Sequence, residues 1–213
     1  VHGGAWRTGS KENSRFLRMV ARGYAVASIE YRFSQEAIFP AQLHDCKAAV
    51  RWLRANAAQY DLDPSRIGAA GGSAGGHLVA MLGTTVGVPE LEGSLGHLDH
   101  PSHVQAVCDW YGPSDFLRMN DEPGAMDHDA PDSPESQLIG APIQAHPDLV
   151  ARANPITYIT PERAAQIPPF LIMHGMEDNV VIPNQSELLH QALQEVDAPS
   201  TLVLLEGLGH GFG

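Results

Sequence analysis

Apolar residues follow two patterns along the chain, and the patterns alternate. Short, nearly continuous apolar runs at residues 24–30, 66–70, 104–109, 170–174 and 201–205 predict strands that are covered on both faces. Apolar residues at three- and four-residue spacing predict helices at residues 13–22, from residue 40, at 74–80 and at 184–196. Strands that alternate with helices favour an α/β fold, a mostly parallel sheet with helices on both faces.

The clearest helix begins at Pro40. Its apolar stripe consists of Leu43, Cys46, Val50, Leu53 and Ala57. Lys47, Arg51 and Arg54 fall on the opposite side, as expected of an amphipathic helix.

One long segment follows neither pattern. Residues 116–161 are rich in Pro, Asp and Met, and their apolar residues show little periodicity. We interpret this segment as an irregular, lid-like excursion over the top of the sheet. It belongs to a single domain that spans residues 1–213, because a chain of this length supports one buried core more readily than two.

Composition narrows the classes of function. The hydrophobic content of 43% and charged content of 18% are typical of a globular domain, and no run approaches the length of a transmembrane helix. The net charge of −12 argues against a nucleic-acid surface. We therefore expect neither a nucleic-acid nor a membrane partner. The two cysteines, Cys46 and Cys108, predict no disulfide framework.

Both ends of the chain lie inside or beside motifs. Position 1 is Val, which is interpreted as the end of a buried strand, and the chain stops shortly after Gly211-Phe212. We therefore expect the termini to be truncated, without the first strands and the last helix. Neither compartment nor oligomeric state follows from the sequence.

A glycine-rich turn joins the run at 66–70 to the helix that follows. Its residues, Gly71-Gly72-Ser73-Ala74-Gly75, fit the G-x-S-x-G pattern of a nucleophile elbow. Such an elbow holds the serine in a strained backbone conformation, and its glycines leave room for the neighbouring strand and helix. The pattern alone also fits a phosphate-binding loop or a simple turn.

A serine nucleophile needs a base and an orienting carboxylate. His210 is the candidate base, in a glycine-rich loop after the last predicted strand. Asp178, directly after the run at 170–174, is the favoured acid. Asp115, which follows the preceding predicted strand, is the second candidate, with a helix N-cap as the favoured interpretation, and Glu177 is an outside alternative. The order serine, acid, histidine fits the α/β-hydrolase arrangement.

Further residues near predicted strand ends complete a candidate site. The backbone N–H groups of Gly3, Gly4 and Ala74 are candidate donors to an oxyanion. Trp6, Trp110 and Tyr111 are candidate substrate-binding aromatics, with core packing as the alternative.

The remaining histidines have other interpretations. His2 is interpreted as a hydrogen-bonding residue of its own loop, His44 and His77 as packing residues, and His174 as a brace for the loop that carries Asp178. His97, His100, His103 and His128 are spaced too loosely to predict a metal site. We expect neither a metal nor another cofactor.

A set of motifs that spans essentially the whole chain adds a resemblance. The motifs are HGGAW (2–6), EYRFS (30–34), FPAQLHDC (39–46), GGSAGGH (71–77), DWYGPSD (109–115), ANPITY (153–158), HGMED (174–178) and GHGF (209–212). Together they resemble the α/β-hydrolase carboxylesterases near the hormone-sensitive-lipase group, and most closely the bifunctional feruloyl and acetyl-xylan esterase-like (BD-FAE) proteins.

The resemblance implies an α/β-hydrolase fold and a serine esterase. By position it implies Ser73 as nucleophile, Asp178 as acid, His210 as base, and an oxyanion hole formed by Gly3, Gly4 and Ala74. It implies small-molecule or polysaccharide substrates, namely short acyl or feruloyl esters of plant polysaccharide. Ala5 stands where a third glycine is common. The alternatives are an arylformamidase, a prolyl-oligopeptidase-type peptidase and a non-catalytic binding module.

Overall fold

A parallel sheet forms the middle of the fold in the computed structural model, which describes residues 1–212. Its strands, in spatial order, are β1 (Gly68–Gly72), β2 (Ala106–Trp110), β3 (Phe170–Gly175) and β4 (Ser200–Leu205). Every neighbouring pair is parallel. The carboxyl ends of all these strands therefore lie at one edge of the sheet, where α/β folds place their sites.

Helices follow the strands as the apolar patterns predict. The α-helices are α1 (Ala41–Ala55), α2 (Ala74–Thr84), α3 (Pro89–Glu92), α4 (Pro134–Ile139), α5 (Pro147–Ala153) and α6 (Asn184–Glu195). Shorter 3₁₀ helices span Lys11–Asn13, Arg15–Arg22, Ala57–Tyr60, Phe116–Arg118, Ile143–Ala145, Pro155–Tyr158 and Ala164–Gln166. None of the helices within residues 1–212 has the length and apolar character needed to cross a membrane.

The core forms where α2 packs on β1 and β2. Every residue of α2 is buried, and its Leu78 belongs to a cluster with Val107 of β2 and with Phe170 and Ile172 of β3. Side chains on the other face of the sheet are less buried: Leu171 is 39% exposed, and Cys108 and Trp110 are half-buried. The sheet therefore buries one face more completely than the other.

The predicted strand at 24–30 is absent from the sheet of the described residues. This segment has no regular secondary structure, and Tyr24 is 59% exposed. A strand needs a neighbouring backbone to pair with. No neighbour within residues 1–212 provides one for 24–30, so its apolar run does not form a strand. The helix predicted at 13–22 also differs from the expectation. Arg15–Arg22 form a 3₁₀ helix, and none of these residues is buried.

The charged side of α1 is buried as well. Lys47, Arg51 and Arg54 all lie inside the protein, and Lys47 is only 1% exposed. Lys47 and Arg51 pair with Glu92 of α3 at 2.6 and 3.4 Å. Arg54 donates to backbone carbonyl oxygens of the loop that precedes β2. Helical periodicity marks which residues share a face, but it does not show that another element covers the charged face.

The segment 116–161 is more ordered than the expected irregular excursion. It contains α4, α5 and three short 3₁₀ helices. Leu138, Ile143 and Val150 from this segment join the hydrophobic core. The segment therefore packs on the body of the protein through a buried face of its own.

Candidate active site

The nucleophile elbow has the strand–turn–helix geometry that the pattern predicts. Ser73 joins β1 to α2 with φ 56° and ψ −126°, a conformation that L residues rarely adopt. A Cβ at Gly71 would collide with the carbonyl group of Gly75, and a Cβ at Gly75 with the backbone of Val1 and His2. The glycines are thus needed for this turn, which raises the serine above the sheet edge.

Ser73, His210 and Asp178 converge in one hydrogen-bonded chain. The Nε2 atom of His210 lies 3.1 Å from Ser73 Oγ, and its Nδ1 atom lies 2.7 Å from Asp178 Oδ2. A carboxylate only accepts, so Nδ1 carries the proton and Nε2 has a lone pair facing the hydroxyl. This arrangement can remove the proton from Ser73 as its oxygen attacks a carbonyl carbon.

Asp178 is buried and remains ionised. Its Oδ1 atom accepts hydrogen bonds from the backbone N–H groups of Val180 and Val181 at 2.9 and 3.0 Å. Burial by itself raises the pKa of this carboxyl. Hydrogen bonds from His174 and His210 outweigh that effect and hold the pKa well below its usual range. A charged acid is therefore available to orient His210.

His174 braces the loop that carries Asp178, residues 176–181, which we call the acid loop. Its Nε2 atom lies 2.8 Å from the carbonyl oxygen of Val181 and 3.2 Å from Asp178 Oδ2. Its Nδ1 atom lies 2.7 Å from the hydroxyl of Ser186 on α6. Both acceptors face Nε2, so the proton is on that nitrogen and the ring joins the acid loop to α6.

The backbone of Gly3 approaches the elbow closely. A Cβ at this position would stand 2.7 Å from the carbonyl oxygen of Gly72 and 3.2 Å from Ser73 Cβ. Gly4 has φ +114°, which L side chains rarely adopt. Within residues 1–212 the N–H groups of Gly3, Gly4 and Ala74 donate to no other backbone group, so all three remain candidate donors to an oxyanion.

Trp6 does not line a substrate surface, contrary to expectation. The side chain is 1% exposed, and its Nε1–H donates to His77 Nδ1 at 3.2 Å. His77 Nε2 lies 2.7 Å from the carbonyl oxygen of Ala153, and burial lowers the pKa of this histidine to about 4. The ring is therefore neutral, and Trp6 anchors the loop at 2–6 (the oxyanion loop) to α2.

The other two predicted aromatics occupy different positions. Tyr111 is 4% exposed, and its ring centroid lies 4.7 Å from that of His210, so it supports the imidazole. Trp110 is half-buried between Phe16, at 4.4 Å, and Phe212, at 5.4 Å. Of the three predicted aromatics, only Trp110 is half-buried rather than buried.

The alternative acids lie elsewhere. Asp115 is the N-cap of the 3₁₀ helix Phe116–Arg118, where its side chain accepts from Leu117 N–H at 3.2 Å. Glu177 is exposed on the acid loop. His210 has its carboxylate contact with Asp178 alone among the described residues.

The histidines with loose spacing form no metal cluster. Over residues 1–212, no group of three or more His, Cys, Asp or Glu side chains is arranged to hold a metal ion. His97 and His103 are exposed, whereas His128 is buried beside Glu135.

Sequence reasoning missed one basic group beside the site. Arg15 donates to the carbonyl oxygen of Gly211 at 2.5 Å, and its Nη1 atom lies 3.5 Å from the Tyr111 hydroxyl. The contact joins residues separated by almost the whole chain, and no local motif in the sequence signals it.

Comparisons with known proteins point to one family. A family model described as BD-FAE matches residues 1–193. Esterase LipC of Mycobacterium tuberculosis is 33% identical over 216 residues, which cover 100% of this chain and 52% of LipC. The chain spans about half the length of the curated relatives it matches, with 44% and 45% covered in two others.

Solved structures are similar over almost the whole chain. A truncated form of a carbohydrate esterase from gut microbiota has a TM-score of 0.90 at 39% identity, with 99% of this chain and 77% of that chain covered. A bifunctional GH43-CE protein of Bacteroides eggerthii has a TM-score of 0.89 at 38% identity, with 100% and 31% covered. The expected α/β-hydrolase fold is confirmed.

Proposed function

The chain belongs to the BD-FAE family, and from this membership and the geometry around Ser73 we propose that the protein is a serine hydrolase of carboxylic esters. The contact that carries the proposal is that of His210, whose two ring nitrogens lie 3.1 Å from Ser73 Oγ and 2.7 Å from Asp178 Oδ2. The esterases among its relatives add support.

The reaction proceeds in two halves. In the first, Ser73 Oγ attacks the ester carbonyl carbon while His210 Nε2 takes the hydroxyl proton, and the protonated imidazole then returns it to the leaving alcohol. In the second, water gives a proton to His210 and attacks the acyl-serine, which releases the acid and regenerates Ser73. Asp178 remains ionised and keeps the Nδ1–H tautomer throughout.

The oxyanion is stabilised by backbone donors. The proposed donors are the N–H groups of Gly3, Gly4 and Ala74. The close approach of Gly3 to Ser73 and the place of Ala74 directly after Ser73 support this assignment. Ala74 is also the first residue of α2, whose N-terminal dipole favours negative charge. Loss of one such donor typically costs about 10²–10³ in kcat.

The proposed substrates are short acyl or feruloyl esters of plant polysaccharide. Family membership supports this class, as does the similarity to a carbohydrate esterase. Half-buried Trp110 is the remaining aromatic candidate for contact with a sugar or a feruloyl ring.

The test is a Ser73→Ala variant assayed beside a Ser94→Ala control, which changes an exposed serine. We expect Ser73→Ala to lower kcat on a short aryl acetate by about 10⁴-fold or more, because no nucleophile remains. Circular dichroism should match that of the wild type. A fluorophosphonate probe should label the wild type and Ser94→Ala, but not Ser73→Ala. A Ser73→Ala variant with wild-type turnover would refute the proposal.

A substrate panel then separates the acyl and leaving-group classes. Acetylated xylan and methyl ferulate represent the proposed class, N-formylkynurenine an arylformamidase, and a proline-containing peptide a peptidase. Faster turnover of either of the last two would replace the proposed substrate class while leaving the serine mechanism in place. Absence of both turnover and probe labelling would instead favour a non-catalytic binding module.

A further inference from the structure

A buried pair of opposite charges lies outside the proposed catalytic groups. His128 and Glu135 both belong to the segment 116–161, and their side chains are 4% and 3% exposed. His128 Nδ1 lies 3.1 Å from Glu135 Oε2, although the angle is poor for a hydrogen bond. Neither atom has another partner within the described residues. An isolated carboxylate is costly to bury, so each group compensates the charge of the other.

The second nitrogen of His128 reaches the acid loop. Its Nε2 atom lies 2.9 Å from the carbonyl oxygen of Val180. A carbonyl oxygen only accepts, so Nε2 carries a proton. Glu135, a carboxylate, faces the other nitrogen and favours a proton there too. The surroundings therefore favour the imidazolium form, whose hydrogen bonds are stronger than those of a neutral ring.

The peptide units around Val180 are held from two sides. The N–H group of Val180 donates to Asp178 Oδ1 at 2.9 Å, while its carbonyl oxygen accepts from His128. One residue earlier, the carbonyl oxygen of Asn179 accepts from the N–H group of Ala125. The acid loop is thus fixed on one side by its own carboxylate and on the other by the segment 116–161.

Charges around His128 favour its protonated form. Burial lowers the pKa of His128, but the contact with Glu135 and the negative charge of Asp129 outweigh it and raise the pKa above its ordinary value. The acid loop faces the ring with the neutral Val180 carbonyl group. Glu135 on α4 and Asp129 on the same loop as His128 are the charged groups identified as raising this pKa.

We propose that His128 is a positioning residue which, held by Glu135, fixes the acid loop so that Asp178 is directed at His210. This inference rests on the proposed function, because it gives the segment 116–161 a part in the alignment of the same triad. His128 touches neither Ser73 nor His210 and acts only through Asp178. Its loss should therefore lower kcat and leave KM nearly unchanged.

The experiment compares three variants with a matched control. His128→Leu removes both contacts, His128→Gln keeps an amide donor for Val180, and Glu135→Gln removes the charge at nearly constant shape. His190→Gln is the control, because His190 is a half-buried histidine of α6 that contacts Ser200 at the start of β4 and makes no hydrogen bond to the acid loop within the described residues. Melting temperature is measured for each, so that loss of fold is separated from loss of alignment.

We expect His128→Leu to lower kcat on a short aryl acetate by about 10- to 100-fold, the range typical of lost outer contacts that orient a site. His128→Gln should recover much of this loss, and His190→Gln should keep wild-type kcat. In Glu135→Gln the Nε2–H group still donates to the Val180 carbonyl oxygen and only the negative charge is lost, so kcat should fall less than in His128→Leu. A role limited to stability would change the melting temperatures without this order of kcat values.

A proton NMR measurement makes the inference independent of turnover. The Nδ1 proton of His210, shared with Asp178, should give a far-downfield resonance in the wild type and in His190→Gln, and a weakened or shifted one in His128→Leu. If His128→Leu, or the equally donor-free His128→Met where the first does not fold, keeps this resonance and wild-type kcat, the positioning role is wrong. A wild type that shows the resonance but neither hydrolyses esters nor labels with fluorophosphonate would overturn the proposed function alone.

Discussion

Trp6 and His77 hold the oxyanion loop against the helix of the elbow through buried contacts. The indole donates to His77 Nδ1, and its ring packs on Phe116 at 5.5 Å. His77 is fixed in one neutral tautomer because its other nitrogen faces the carbonyl oxygen of Ala153. Backbone donors act on a developing charge only when their positions are fixed, so in the proposed reaction these buried side chains would hold the oxyanion donors in place from inside the protein.

Asp109, at the end of β2, is a fully buried carboxyl beside the elbow. Its Oδ1 atom accepts from Gly112 N–H at 3.0 Å, and its Oδ2 atom has no partner within residues 1–212. Burial raises the pKa of this group to about 7, against smaller opposite effects from Gly112 and His174. The folded protein therefore binds a proton here that the unfolded chain releases near its ordinary pKa.

The raised pKa of Asp109 predicts a change of stability with pH. As pH rises from the pKa of Asp109 in the unfolded chain to about 7, ionisation of Asp109 lowers the stability of the folded state. Asp109→Asn keeps an acceptor for Gly112 and removes that cost. The stability of the variant relative to the wild type should thus increase by at least about 1 kcal/mol between about pH 5 and 8, measured by urea denaturation. Asp99→Asn, at an exposed carboxylate, should show no such trend; a flat difference for Asp109→Asn would contradict the prediction.

At the scale of elements, α1 is tied to α3 by charges in the interior. Glu92 accepts from Lys47 at 2.6 Å and from the Ser102 hydroxyl at 2.6 Å, and it lies 3.4 Å from Arg51. Lys47 also donates to the carbonyl oxygen of Thr85 at 2.8 Å. One carboxylate thus balances two buried cations, which makes Glu92 the member whose loss leaves the most charge without a counterion.

Glu92→Gln should therefore destabilise the protein more than Lys47→Met. We expect a loss of about 2–3 kcal/mol in the free energy of unfolding for Glu92→Gln, below the range for fully buried pairs because Glu92 is 29% exposed. Lys47→Met leaves Glu92 with Arg51 and Ser102, so its cost should be smaller. Guanidinium unfolding measures both, with the exposed Glu90→Gln on the same helix as control. An equal or reversed order would show that the carboxylate is not the centre of this cluster.

The sequence predicts best those elements whose pattern is set by their own packing. The run at 170–174 and the helix at 184–196 match β3 and α6 to within a residue at each end. The segment 24–30 has an equally apolar run, yet strand formation also needs a paired neighbour, which composition does not report. The burial of Lys47 likewise depends on Glu92, 45 residues further along the chain.

Some features of the candidate site could likewise be predicted from the sequence, and others could not. Convergence of Ser73, Asp178 and His210 follows from parallel topology, because residues just after parallel strands meet at one sheet edge. The inward direction of Trp6 does not follow, since an aromatic residue at a strand end can face the core or the solvent. The contact between His128 and Val180 joins residues 52 positions apart without a local motif, and only the folded chain brings them together.

At the scale of the whole molecule, the excess of acidic residues should affect which esters reach the site quickly. The chain has 25 Asp and Glu against 13 Lys and Arg, for a net charge of −12. Such a charge repels anions over roughly a Debye length, about 30 Å at 0.01 M salt and 8 Å at 0.15 M. A neutral ester has no net charge, so this field does not repel it.

This charge predicts that salt affects one member of a matched pair of substrates and leaves the other almost unchanged. For 4-acetoxybenzoate, an anion, kcat/KM should rise severalfold from about 0.01 to 0.3 M sodium chloride, because screening removes the repulsion. For its neutral methyl ester, kcat/KM should change by less than about twofold over the same range. If kcat/KM for the anion instead falls with salt, the attraction of Arg15 outweighs the net charge at the site. Arg15 contacts Gly211, the residue after His210. Repeating the titration with Arg15→Gln then distinguishes the local cation from the field of the whole protein, because only the local cation disappears in that variant.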